Sequence, residues 1–198
     1  MMEKEKFYHV YNRGINRQPI FFEEENYAFF LKRLDIYLSG FIDLFSYSLM
    51  PNHFHLFFRV KETFGPNRKG KTNSIETAFK LLFMSYAKAV NEKYDRTGSL
   101  FQQNFKHKEV DNDSYFSWII QYIHMNPVKA GLCKEPAEWR YSSYPAILSR
   151  LPTKLKRDEV IEWFGGVARF EKIHKERVVD FNNIEKYLFS KKNKNLEF

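Results

Sequence analysis

Three features of the sequence predict an α+β protein of ferredoxin-like type, an antiparallel sheet with helices on one face followed by a small helical C-terminal extension. Four short runs are rich in aromatic and β-branched residues, and two long runs carry apolar residues at helical spacing. Their order is strand, helix, two strands, helix, strand, and then a further helix, which contains the β-α-β-β-α-β core of that fold.

The first strand is read over residues 7–12, FYHVYN, ended by Arg13 and Gly14. A helix follows, with Glu23, Glu24 and Glu25 where acid suits a first turn. Tyr27, Phe30, Leu31, Leu34 and Leu38 recur on one face, and Gly40 stands where a left-handed cap is expected. Residues 41–48 and 53–60 read as an antiparallel pair around the turn-forming Met50, Pro51 and Asn52.

Residues 62–73 combine Gly, Pro, Asn and basic side chains without periodicity and predict an exposed loop. Asn73 and Glu76 suggest a capping box for the next helix, whose apolar face is Ile75, Phe79, Leu82, Phe83, Tyr86 and Val90. A fourth strand is expected at 105–110. Asp113 can then cap a third helix with the stripe Phe116, Ile119, Ile120 and Ile123, ended or kinked by Pro127. Beyond Trp139 the pattern breaks into short helical pieces and a basic tail. The division expected is therefore a catalytic domain at 1–148 and an extension at 149–198.

Composition narrows the function. Lys and Arg number 32 against 24 Asp and Glu, a formal charge of +8 that favours a polyanionic partner. The single cysteine, Cys133, excludes a disulfide framework and CxxC zinc sites, and no run is apolar enough for a membrane span. A cytoplasmic protein without a membrane partner, monomeric or homodimeric, is expected.

His53 and His55 alternate with Phe54 and Leu56 in a strand, so both imidazoles leave the same face. Such a pair either lines a polar sheet face or offers two ligands to one divalent ion. On the third helix, Tyr122 and Asn126 are one turn apart and flank the apolar stripe. Either the tyrosine is a core ring with its hydroxyl at the edge, or an amide oxygen completes a metal site beside a reactive phenol. His124 lies roughly opposite Tyr122, which suits a structural hydrogen bond better than ligation. Tyr115 shares the flank of Tyr122 but stands two turns away from Tyr122, too far from Asn126 to act with it.

Five stretches in order, FYHVYNRG (7–14), YSLMPNHFHLFF (47–58), GSLFQQNFK (98–106), YIHMNPVKAGL (122–132) and EWRYSSY (138–144), resemble the single-tyrosine HUH transposases, in particular their REP-associated branch. The resemblance implies an HUH endonuclease fold. It also implies that His53 and His55 are metal ligands, Tyr122 the nucleophile and Asn126 the helix ligand, where compact insertion-sequence relatives carry Gln. The activity implied is nicking and rejoining of single-stranded DNA at hairpin or repeat sequences through a 5′-phosphotyrosine, with Mg2+ or Mn2+, in DNA transposition. A phenol with an ordinary pKa of ~10 needs such help to attack a phosphodiester at neutral pH. Because the phosphoester is kept in the covalent intermediate, a second DNA 3′-OH can reseal it without ATP.

Arg13, Arg17, Arg68, Lys69, Lys71 and Arg140 are candidate phosphate contacts, each equally readable as a solvated charge. Trp139, Tyr141 and Tyr144 either stack bases or pack the C-terminal segment. Two other functions are open at this point. One is a catalytically silent nucleic-acid-binding module, although no RNP1 stretch is present; the other is an HUH replication or transfer nickase.

Overall fold

The structure, a computed structural model, describes residues 1–63, 74–112, 115–176 and 181–189. Four strands, β1 (Phe7–Arg13), β2 (Ile42–Met50), β3 (His53–Val60) and β4 (Lys106–Val110), form one sheet in the order β2-β3-β1-β4. The pairs β2·β3, β3·β1 and β1·β4 are all antiparallel. With α1 (Glu24–Leu38) between β1 and β2 and α2 (Ile75–Lys93) between β3 and β4, this is the ferredoxin-like order expected.

Strand alternation gives the sheet two different faces. Tyr8, Val10, Phe54, Leu56, Phe58 and Val60 turn to one side, where Phe30, Leu34 and Leu38 of α1 and Phe79, Leu82 and Tyr86 of α2 close over them. Phe7, Phe45 and Phe57 turn to the other. The third helix, α3 (Phe116–Lys129), does not join α1 and α2. It packs on this second face through Phe116, Ile119, Ile120 and Ile123. Phe116 meets Phe7 with ring centroids 4.2 Å apart and Phe57 at 5.5 Å, which pins the start of α3 over the apolar end of the strands. The buried rings of Phe57 and Phe116 each contribute roughly 1.5–3 kcal/mol of burial free energy.

The outer side of α3 is covered in turn by α4 (Ser143–Leu148), α5 (Arg157–Trp163), α6 (Val167–Lys175) and α7 (Phe181–Phe189). Val160, Phe164, Phe170, Ile184 and Leu188 share one apolar cluster with Ile119 and Ile123. Residues on both sides of position 148 thus build the same core.

Three local expectations come out differently. Helix α1 ends at Ser39 in right-handed geometry, and Gly40 is not among the residues with positive φ, so no left-handed cap forms there. At the start of α2 the cap is Ser74, whose hydroxyl accepts from the Thr77 N–H, while Glu76 accepts from the Met2 backbone nitrogen; Asn73 lies outside the described residues. Pro127 sits inside α3, which runs on to Lys129 before Gly131, at φ +71°, turns the chain away. Asp113 lies outside the described residues.

Candidate active site

Because α3 starts over Phe7 and Phe57, its advance of ~1.5 Å per residue carries Tyr122 roughly 9 Å along the sheet, to the polar end of β1 and β3. There Tyr11 pairs with His55 and Arg13 with His53 across the ladder. The Tyr122 ring stands edge-on to His55, with centroids 5.8 Å apart and planes at 85°. His53 and His55 have centroids 5.4 Å apart. Asn126, one turn after Tyr122, is buried, and its amide nitrogen donates to the Tyr122 backbone carbonyl at 2.7 Å. With the nitrogen committed, the amide oxygen is the atom left to accept a proton or to ligate. The four residues singled out from the sequence are therefore gathered on one side of the sheet, within a single chain.

Hydrogen bonds to the ring nitrogens decide what the histidines present. His53 Nδ1 lies 2.6 Å from Asn52 Oδ1, and the Asn52 amide nitrogen donates to the Arg17 carbonyl at 3.2 Å, which fixes the amide orientation. An amide oxygen only accepts, so His53 carries its proton on Nδ1 and keeps a lone pair on Nε2. His55 Nδ1 is likewise engaged, 2.9 Å from His9 Nε2. Burial lowers the His53 pKa to about 4, with the Arg13 charge adding to the effect. His55 is pushed well below its usual value by burial, then by His9, His53 and Arg13. Both imidazoles are therefore neutral at ordinary pH, the state in which they donate a lone pair.

Tyr122 is 1% exposed. Burial raises its phenol pKa, and Glu185 on α7 raises it further, while a hydrogen bond from Asn126 and the Arg13 charge act in the opposite direction. Tyr115 is the residue before α3 and stacks on Tyr187 with centroids 4.3 Å apart, away from the histidines.

Among the described residues no group of three or more His, Cys, Asp or Glu side chains could hold a metal ion. The donors at this place are two neutral imidazoles and one amide oxygen. That mixed, open set fits Mg2+ or Mn2+ completed by water and phosphate, and does not fit a closed structural zinc site.

Of the candidate phosphate contacts, Arg13 is half-buried beside the histidines and Arg17 is exposed on the turn that follows. Arg140 pairs with Glu24 at 3.3 Å. Arg68, Lys69 and Lys71 lie outside the described residues. Trp139 donates its indole N–H to the Leu49 carbonyl at 2.9 Å and Tyr141 stacks on Tyr27 at 3.8 Å, so both pack the C-terminal segment against the body of the fold. His124 is structural, as its azimuth suggests. Its Nε2 lies 2.7 Å from the Ser143 hydroxyl and its Nδ1 lies 3.0 Å from His174 Nε2, on the side of α3 away from the site. Sequence reasoning missed His9, Asn52, Ser143 and His174. A period-two count from Phe7 places His9 on the face of Tyr11 and Arg13, and that was the one signal within reach.

Residues 4–126 match the family model described as "Transposase IS200 like". The chain belongs to this family of transposases, enzymes that act on DNA, and it is the single-tyrosine HUH family whose motifs the five stretches resemble. The solved structure of a REP-associated tyrosine transposase bound to a REP hairpin is similar at a TM-score of 0.58 and 15% identity, covering 76% of this chain and 84% of that one. The likeness extends to the fold. A bacterial tRNA(His) guanylyltransferase-like protein in complex with GTP is a weaker likeness, with a TM-score of 0.40 at 11% identity over 66% of this chain and 68% of that one. No curated protein matches the chain. Among the described residues no helix is long and apolar enough to cross a membrane.

Proposed function

We propose that the protein is a divalent-metal-dependent transesterase that nicks and rejoins single-stranded DNA at hairpin or repeat sequences, with Tyr122 as nucleophile. The observation that carries this reading is the approach of Tyr122, one turn before Asn126 on α3, to His55, whose strand neighbour His53 leaves the same face and is likewise neutral. His53, His55 and Asn126 are the residues to hold Mg2+ or Mn2+. Such an ion supplies neutralisation of charge on the scissile phosphate.

In the reaction, Tyr122 Oη bonds to phosphorus and the P–O3′ bond breaks. The phenol loses a proton, the departing O3′ gains one, and the 5′ phosphate stays on the tyrosine. A second DNA 3′-OH reverses the exchange, so the bond energy is conserved and no nucleotide is consumed. The phenol is protonated at neutral pH even at its ordinary pKa of ~10, and burial raises that pKa further. The Tyr122 side chain is also buried, so an entering strand has to uncover the hydroxyl before attack. Arg13, beside both histidines, and Arg17 are the proposed contacts for its phosphates, with Arg68, Lys69, Lys71 and Arg140 as further candidates. Hairpin DNA is the substrate class carried over from the solved transposase that is bound to one.

The test is incubation of the full chain with single-stranded hairpin oligonucleotides and Mn2+ or Mg2+, followed by a denaturing gel and peptide mapping. A metal-dependent adduct on Tyr122 is expected, absent in Tyr122→Phe and absent with the fully paired duplex. An adduct on another residue, or undiminished cleavage by Tyr122→Phe, would leave a two-histidine metal nuclease as the better account. DNA binding without any cleavage would indicate a silent binding module.

A further inference from the structure

His9 has no role in the reading above, yet it is fully buried in the middle of β1, on the face that carries Tyr11 and His55. Its ring and that of His55 have planes at 6° and centroids 5.1 Å apart, with His9 Nε2 and His55 Nδ1 separated by 2.9 Å. Two face-to-face rings could not bring nitrogens this close while their centroids stayed so far apart. The rings therefore lie end to end, close to one plane, joined by an in-line N–H···N bond.

That bond holds one proton between two neutral imidazoles, and its direction determines whether His55 can ligate. If His9 donates, His55 carries its own proton on Nε2, and that nitrogen is closed. If His55 donates from Nδ1, its Nε2 keeps a lone pair. In either case His9 Nδ1 is buried with no hydrogen-bond partner among the described residues. An unsatisfied buried polar atom costs free energy that an apolar side chain at this place would avoid. Among the described residues the one polar contact that His9 makes is to His55. On the neighbouring ligand the arrangement recurs, because Asn52 Oδ1 takes the Nδ1 proton of His53.

We propose that His9 is a positioning residue for the metal site, accepting the Nδ1 proton of His55 and so holding its ring with Nε2 open toward the divalent cation. This rests on the metal-dependent reading above. Outer partners of this kind orient a metal-bound imidazole and raise its basicity, and their loss typically weakens metal affinity roughly 10- to 100-fold.

The experiment is Mn2+ titration of the DNA-free full chain, wild type against His9→Phe and His9→Gln, with His53→Ala as the ligand control. It is paired with 15N NMR of the imidazoles in the wild type with Mg2+. His9→Phe should raise the Mn2+ Kd about 10-fold or more, with excess Mn2+ restoring nicking. His9→Gln, whose amide oxygen can accept the same proton, should remain within a few-fold of wild type. The NMR spectrum should show the His55 proton on Nδ1, an observation that stands even if the Phe variant fails to fold. An unchanged Kd in folded His9→Phe, or a His55 proton on Nε2 with Mg2+ bound, would overturn the inference while loss of Mn2+ binding in His53→Ala left the site reading intact. A wild-type protein that takes up no Mn2+ would overturn both.

Discussion

Substituting His174 by leucine tests how α3 is held from behind. In the folded protein His174 Nδ1–H donates to the Phe170 carbonyl at 2.8 Å, so its Nε2 is the acceptor for His124 Nδ1–H at 3.0 Å. His124 Nε2 then accepts from the Ser143 hydroxyl at 2.7 Å. Leucine fills much of the ring volume but leaves the His124 N–H buried without an acceptor, a cost of ~1–3 kcal/mol. The cost should depend on pH, because burial lowers the His174 pKa from its ordinary 6.5 to about 4, against a smaller upward effect of the Phe170 carbonyl. A histidine depressed in the fold contributes stability that is present above its unfolded pKa and lost as pH falls toward the folded one. Between 6.5 and about 4 the wild type should therefore lose up to ~1.4 kcal/mol per pH unit through this side chain, and the leucine variant should not. Urea unfolding followed by circular dichroism should show the variant less stable by ~1–3 kcal/mol near pH 8, with the two stability curves converging as the solution is acidified. Curves that run parallel, or a variant as stable as wild type near pH 8, would refute the relay.

Two further outcomes follow from the same geometry. His53→Ala should abolish metal-dependent cleavage while circular dichroism shows the fold retained, since its ring faces the site and not the core; a variant that unfolds, with full cleavage in its refolded fraction, would make the histidine structural. Gly14→Ala should destabilise by ~1–3 kcal/mol in urea unfolding, because an added Cβ would lie 2.0 Å from the Gln18 carbonyl oxygen and push apart the turn that carries Arg17.

Strand and helix identity were legible in the sequence because they depend on local periodicity, and Phe54, Leu56, Ile119 and Ile123 are buried as the patterns require. The side of the sheet taken by α3 was not legible. An apolar stripe shows that a helix packs but not against which face, and both faces of this sheet offer aromatic rings. The histidine pair and the Tyr122–Asn126 spacing were legible for the same periodic reason. Their supporting partners were not, because His9 reaches His55 across 46 residues and His124 reaches His174 across 50. A hydrogen bond between distant side chains leaves no trace in the local pattern of either segment.

The burial of α3 shows what those partners do together. From Ile119 to Pro127 every residue is buried, including Gln121, Tyr122, His124 and Asn126, so the helix has no solvent face along this stretch. Its polar side chains must then find partners in fixed directions. Gln121 donates to the Ile173 carbonyl at 2.7 Å and His124 bonds Ser143 and His174, all on the side of the C-terminal helices. Tyr122 and Asn126 are left on the side of the histidines. Rotating α3 about its axis to withdraw Tyr122 from His55 would break the Gln121 and His124 bonds together and strand their donors in an apolar cluster. The segment after residue 148 is therefore part of what sets the azimuth of Tyr122, and the geometry of the site depends on α6 as directly as on the sheet that carries the histidines.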